Sequence, residues 1–497
     1  GTFDEIAPIA IGAYGWKTGD WSQMTRFPPV MQYLYGLPVY LSKPNYPPAS
    51  FEGDYYAYSR ELLWKSGNNA EQLIFRARLV TVAMVGLLVL LTFACARAYF
   101  DTRTGLFAAA LVAFLPDVMG HGGVAYNDVP LAAAFLASLW AIDRAVRNPS
   151  IVRGVLAGVL TSIALGIKHS ALALGPIAIV LIVLEALARS DRRVWAPRIA
   201  TALSVGVLAG YVLQVLLYRG DVFLTYLLEG TGALAGHVSR GHAAVDPNGG
   251  YSIEPGWRFY SRAFVIKSSA AFHLLLILGA VGGVLALREN WRPKLLSGGA
   301  RALLVALLVF GAILMQAKLV IGFRYALPIM PVLAILATAG ARVLWARRRV
   351  FAAVITACVI WAAGSTLSFY PYFLAYSSEY PPGRDKAYTQ LFDSSLDWGQ
   401  GLIALREFMR DENIDLVYLA YFGSALPEGY GIKYVPLPSF YPLPTQPSQA
   451  KPPRFAVVSA TLLGGRYLRQ DFYRDPREKE TPYRVLGHNL YVFKADK

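Results

Sequence analysis

Charge is scarce in this 497-residue chain: Asp, Glu, Lys and Arg together make up 16% of it, against about a quarter in an ordinary soluble domain. A chain this long would need several soluble domains, and their surfaces would demand more charge than this. Cysteine is nearly missing. Cys95 and Cys358 both lie inside apolar runs, which excludes a disulfide framework or a zinc site and makes both small buried apolar side chains. No P-loop, G-x-G-x-x-G, G-x-S-x-G or Asn-x-Ser/Thr signature is convincing, and no internal repeat is visible. With 13% aromatic residues and recurrent apolar runs, the chain is not disordered.

What is there is apolar: 55% of the residues are hydrophobic, and the expectation is an integral membrane protein. Five runs are long enough to cross a bilayer alone, namely Leu79–Ala96, Ile199–Leu217, Ser268–Leu287, Tyr325–Ala341 and Val350–Tyr370. Five shorter ones, Gly105–Pro116, Val129–Ile142, Gly154–Ile167, Ala171–Leu184 and Ala302–Ala317, need flanking residues or protein neighbours to complete a crossing. Ten crossings are expected. The chain opens at Gly1 with no apolar run or signal peptide before its first outer segment, so an earlier helix is expected too, making eleven.

Basic residues set the orientation. Alternate short connections carry seventeen Lys and Arg, from Arg97 and Arg103 to Arg347, Arg348 and Arg349, while the opposite short connections carry only Lys168, Lys318 and Arg324. That asymmetry places the Arg-rich side in the cytoplasm. It also accounts for much of the net charge of +15 without nucleic acid.

Three regions then fall outside the cytoplasm. Residues 1–77, rich in Tyr, Trp and Pro, read as an outer segment with helices lying flat in the headgroup layer. The loop 218–267, Gly-rich around Gly230-Thr231-Gly232 and Pro247-Asn248-Gly249-Gly250, reads as a lid or binding loop between helices of the core 78–370. The tail 371–497 reads as a small α/β domain. It has helical spacing over Leu402–Arg410, strands at Leu416–Phe422 and Phe455–Ala460, a Pro-rich stretch at Pro436–Pro453 and a terminal strand pair around Gly487-His488-Asn489.

Candidate chemistry gathers on the outer side. Asp4-Glu5 reads either as a general base for an incoming hydroxyl, since a partly desolvated carboxylate is a better proton acceptor, or as a solvated acidic pair capping a helix start. Asp128, in Asn127-Asp128-Val129-Pro130, is either a helix-start signal or a carboxylate that orients a sugar hydroxyl. Lys267 and Arg324 are cations at outer helix ends. They either snorkel to the interface or hold a phosphate at headgroup depth, Arg bidentately and Lys as a point charge; Lys168 is a third such candidate. His237 and His242 lie i, i+5 in the Gly-rich loop without clear acidic or Cys companions. They read as solvated or as sugar hydrogen-bonding groups, not as metal ligands.

Six stretches, in order over nearly the whole chain, carry a resemblance: DEIAPIAIGAYGWKTGDW…RFPPVMQYLYGLP at 4–38, AYNDVPLAAAFLA at 125–137, LTSIALGIKHSALALGP at 160–176, GH…GWRFYSRAFVIKSSA at 241–270, GFRYALPIMPVLA at 322–334 and YFLAYSSE…DSSLDWGQGLIAL at 372–405. The chain resembles bacterial members of the dolichyl-phosphate-mannose–protein mannosyltransferase-like family, with the GT-C membrane fold. The resemblance implies sugar transfer from a polyprenyl-monophosphate donor to an acceptor on the outer face of the bacterial inner membrane. It implies a base at Asp4 with Glu5 beside it, and lipid-phosphate contacts from Arg324 and Lys267. No cofactor, metal or nucleotide sugar is implied; the partners are the lipid-linked donor, membrane lipid, an unidentified acceptor and other subunits of a membrane complex.

Three departures bear on that. Ala7-Pro8-Ile9 and Arg26-Phe27 stand where family members often have His, and Lys267-Ser268-Ser269 where they often have Lys-Thr-Pro. These changes fit a different donor sugar, or an inactive scaffold of the same fold within a larger complex. Transport is disfavoured, because the charges cluster at helix ends and related halves are not visible. Asp397-Trp398-Gly399-Gln400 reads as a helix N-cap at Asp397 that orders the tail against the membrane core.

Overall fold

In the computed structural model the described residues are 1–21, 28–48, 50–220, 244–245, 251–252, 254–296, 298–318, 320–440, 443–444, 452–468 and 470–495. Local signals explain where several helices begin. Two helices, α1 (Ile6–Thr18) and α2 (Val30–Leu41), precede the first long span, α3 (Ala70–Tyr99). Asn69 caps α3 by accepting from the Gln72 N–H, and Asp101 caps α4 (Thr102–Ala113) from Thr104. Pro116 opens the short α5 (Pro116–Gly122), so α4 and α5 form one apolar pair bent by 57°. Then follow α6 (Asp128–Arg147), α7 (Ile151–Ile167), α8 (Leu174–Ala188) and α9 (Arg192–Leu217). The end of the stretch 218–267, expected as a loop, is helical: α10 (Gly256–Lys267) leads through a 110° bend into α11 (Ala270–Leu296), and then come α12 (Gly299–Met315), α13 (Met330–Arg347) and α14 (Val350–Leu367).

Among the described residues, six helices are long and apolar enough to cross a membrane, up to eight if each bent pair is one span. Two shorter apolar helices, Ile151–Ile167 and Gly299–Met315, coincide with two of the short runs. The chain is a multi-pass membrane protein. Several large apolar side chains on these helices face outward, including Leu90, Ile179, Val207, Leu216 and Ile360, as expected where lipid replaces water.

Close packing of α7 on α9 depends on glycine. A methyl carbon at Gly154 would lie 2.0 Å from the Ala202 carbonyl oxygen, and one at Gly158 would lie 1.9 Å from that of Gly206. The two helices meet backbone to backbone through glycines spaced by four, the arrangement that brings helices together in lipid. Ser162 donates to the Gly210 carbonyl and Gln214 to the Ser162 carbonyl across the same seam.

Two expectations change here. Arg301, one of the seventeen cations counted on the Arg-rich side, is buried and paired with Glu185 of α8, because an acid inside the bundle needs a partner more than the surface needs one more cation. The aromatics of the first 77 residues do not all face headgroups either. Trp21 is buried against Trp16 and Tyr33, and Tyr35 is fully buried with its hydroxyl donating to the Tyr126 carbonyl.

The tail folds as a small sheet domain. Its strands are β1 (Val417–Ala420), β2 (Tyr434–Pro436), β3 (Phe455–Ser459), β4 (Arg484–Leu486) and β5 (Leu490–Lys494), in the order β2-β1-β3-β5-β4. β1 runs parallel to β2 and β3, and β5 antiparallel to β3 and β4. Alternation sorts the two faces. Val417, Leu419, Val457 and Val492 pack with Leu405 and Phe408 of α15 (Leu402–Asp411). Ala420, Val458, Tyr491 and Phe493 join the cluster that continues into the helical core. β2 lies at the edge, where Pro436 costs no ladder bond.

Candidate active site

Asp4 stands just before α1, and its side chain keeps 21% of its surface. One oxygen accepts from the Tyr56 hydroxyl at 3.1 Å; the other lies 3.3 and 3.4 Å from the two terminal nitrogens of Arg324. Together with Tyr56, Tyr126, Asn127, Ile11 and Pro28 it lines a small pocket of about 40 Å³.

Behind the pocket is a buried charge cluster. Arg324, in the turn of 3-10 helix before α13, is 3% exposed. Its guanidinium lies 4.2 Å from the centre of the Trp398 ring and 5.1 Å from that of Tyr126, cation–π contacts that replace water around the charge. A second carboxylate, Asp128 at the start of α6, approaches the same guanidinium at 3.7 Å. Lys168, which ends α7, pairs with the other Asp128 oxygen and sits 4.0 Å over Tyr325. So Asp4 and Asp128 share Arg324, and Lys168 balances the fourth charge. Asn127, not Asp128, occupies the cap position of α6, and its side chain makes no cap bond.

Two candidates go elsewhere. Glu5 does not line the pocket. It is fully buried and held by Arg78, which donates from Nε at 3.0 Å and from a terminal nitrogen, and it also accepts from the Thr2 and Ala125 N–H groups. Burial pushes its carboxyl up, but Arg78 outweighs that and holds it down at about 2. Lys267 is not a cation at the membrane surface. Its ammonium is wholly enclosed, donating to the Leu374 and Tyr376 carbonyls at 3.0 and 3.1 Å and pairing with Asp117 at 3.5 Å. It pins the bend between α10 and α11 to the segment after α14. Its link to Arg324 is indirect: Asp117 lies 3.7 Å from His121, whose ring packs edge-on against Trp398. His237 and His242 lie outside the described residues. No group of three or more His, Cys, Asp and Glu side chains placed to hold a metal occurs among the described residues.

Residues that local reading passes over complete the site. Tyr56, Tyr126 and Trp398 reach Asp4 or Arg324, and Asp117 reaches Lys267, from far away in sequence; only Tyr126 and Trp398 carried a signal, since both lie in stretches that carry the resemblance. Asp397 does not cap α15, whose cap position is Gly401 without a side-chain bond. Its carboxylate accepts from Asn489 at 2.9 Å and from the Thr461 and Gly399 N–H groups, which clamps the sheet domain to the strip carrying Trp398. Asp393 accepts from the Tyr467 hydroxyl and from the Ser394 N–H. Burial pushes both Asp393 and Asp397 up to about 6, against the pull of Arg324 on the first and of Asn489 on the second.

Comparison with known proteins gives a match over part of the chain. Residues 69–218 match the family described as dolichyl-phosphate-mannose-protein mannosyltransferase. The matched segment contains Arg78, Asp117, Asp128 and Lys168, while Asp4, Glu5, Lys267 and Arg324 lie outside it. The match agrees with the resemblance read from the sequence and supports a membrane glycosyltransferase. No curated protein matches. Similar solved structures include ArnT from Cupriavidus metallidurans bound to undecaprenyl phosphate, 14% identical, covering 99% of this chain and 93% of that one, with a TM-score of 0.47. The apo form of the same ArnT is 15% identical over 98% and 93%, with a TM-score of 0.46. The apo oligosaccharyltransferase of Archaeoglobus fulgidus is 14% identical over 78% of this chain and 54% of its own, with a TM-score of 0.42.

Proposed function

We propose that this protein transfers a sugar from a polyprenyl-monophosphate donor to an acceptor in one inverting displacement, with Asp4 as general base. The matched family is named for a donor of that class. The observation that carries the reading is that Asp4 alone of the clustered carboxylates opens into the pocket, while Asp128 and Arg324 behind it are 2% and 3% exposed.

The cluster is balanced before any donor arrives, so a phosphate must displace something. Asp4 is the easier partner to displace, because it meets Arg324 at long range while Asp128 is anchored by Lys168. As the donor phosphate takes Arg324, the Asp4 carboxylate is released toward the pocket. The acceptor oxygen then attacks the anomeric carbon and its proton passes to Asp4. The bond from that carbon to the phosphate oxygen breaks, and the electron pair leaves on a phosphate stabilised by Arg324. Glu5 and Lys267 act as positioning groups. The Arg-rich connections support an extracytoplasmic orientation for this face, in the reading that the membrane is a bacterial inner membrane.

A second reading keeps the chain as an inactive scaffold, and the prior pairing of Arg324, Lys168 and Lys267 favours it. One assay separates the two. The purified protein in lipid nanodiscs is offered polyprenyl-phosphate hexoses, and release of polyprenyl phosphate is followed. Turnover that falls by about 10²–10⁴-fold in Asp4→Asn is expected; no turnover with any donor, or an Asp4→Asn variant as fast as wild type, rejects the enzyme reading or its base.

A further inference from the structure

A second cleft lies on the same segment, outside the charge cluster. Tyr14, Tyr46, Phe51, Tyr55 and Tyr58 line a cleft of about 290 Å³ between α1 and the short helix Tyr55–Arg60. That is the lower end of the size of small-ligand sites, about 300–1,000 Å³, and the aromatic lining is typical of them. The rings are only half-buried, and Tyr14 and Phe51 both meet Tyr58 edge-on, at 5.4 and 5.9 Å. Such contacts hold the ring faces in fixed orientations.

Polar groups stand at the rim. Lys17 is exposed, with its ammonium 4.0 Å from the centre of the Tyr46 ring, and Thr18 and Asp54 are exposed beside it. A lipid tail would have no use for the ammonium, the carboxylate or the Tyr hydroxyls. A sugar ring uses both kinds of surface, its C–H faces on the aromatic rings and its hydroxyls on the rim groups.

The cleft also adjoins the pocket of Asp4. Ile11 lines both. Tyr55, in the cleft, packs at 4.6 Å against Tyr56, whose hydroxyl donates to Asp4. A ligand held on the Tyr side can therefore extend a hydroxyl toward the Asp4 carboxylate. We propose that this cleft is the acceptor subsite and that it takes a saccharide, an inference that rests on the transferase reading for its role but not for its binding.

The test keeps the two apart. Binding of mannotriose and chitotriose to the full-length protein in nanodiscs is measured by calorimetry, without donor. Tyr58→Ala and Lys17→Gln are each expected to weaken saccharide binding by about tenfold, with Tyr58→Phe retaining most of it. Lys17 is exposed, so its variant stays informative if Tyr58→Ala does not fold. Saccharide binding that is undetectable, or unchanged in both cleft variants, overturns the proposal, as does preference of the cleft for a Pro-rich peptide over both sugars. With an active donor, the cleft variants are expected to raise the saccharide KM. Loss of turnover without loss of saccharide binding would count against the transferase reading alone.

Discussion

Arg324 is enclosed by two aromatic rings and two carboxylates, and that enclosure fixes what a substitution there does. Lysine keeps the charge but loses the planar fork that spans Asp4 and Asp128 and the stacking on Trp398. In the donor assay Arg324→Lys is expected to lower kcat by about 10²–10³-fold; unchanged kcat would mean that the guanidinium does not meet the leaving phosphate. Glu5 and Arg78 make a different case. Arg78→Met leaves the Glu5 carboxylate buried with only the Thr2 and Ala125 N–H groups. The expected loss is about 3 kcal/mol, the low end for a broken buried pair, since the Arg78 side chain is 31% exposed and partly screened. Thermal unfolding in detergent measures it, and a melting temperature equal to wild type would show the pair to be dispensable. At this scale the sequence singled out Asp4, Asp128 and Arg324 by residue type and helix-end position. It had no means of separating Lys267 from Arg324, because both are cations before an apolar run and only their neighbours differ.

Elements are held by what their faces present. The seam between α7 and α9 has no room for a side chain at Gly158. Gly158→Val must part the two backbones and is expected to cost at least about 3 kcal/mol. The check is the melting temperature of the detergent-solubilised protein; an unaltered one would mean that the helices separate without loss. The period of the sequence made most elements legible. The terminal strand pair, both central strands and the helix at Leu402 lie where alternation and helical spacing place them. The glycine seam was equally present as Gly154-xxx-Gly158 and Gly206-xxx-Gly210, but a run of apolar residues does not say which other run it meets. Edge strand β2 was hidden by the prolines that follow it.

The whole molecule is joined where the strip 393–398 runs between the sheet domain and the helical core, and that joint titrates. Folding raises Asp393 and Asp397 to about 6 by burial, while in the unfolded chain both protonate near the ordinary carboxylate value of about 4. Between these values the folded state binds more protons than the unfolded state, so stability falls as pH rises from about 4 to about 6 and is flat above. Glu5 is shifted the opposite way, to about 2, and its stabilising contribution is lost only below about 4. The melting temperature of wild type relative to Asp397→Asn is therefore expected to rise as pH is lowered from 7 to 5. A relative melting temperature that falls over that interval would contradict the shift.

Composition, hydrophobic runs and arginine placement are enough to specify a polytopic membrane protein with a small α/β tail, because lipid imposes its demands on every span separately and each span must meet them within its own residues. Which charges pair is another matter. Asp4 meets Arg324 across 320 residues, Trp398 covers that guanidinium from the far end of the chain, and Lys267 is drawn inward by two carbonyls and Asp117. Those partnerships depend on distances between helices that no single helix encodes, so only the packed structure decided them.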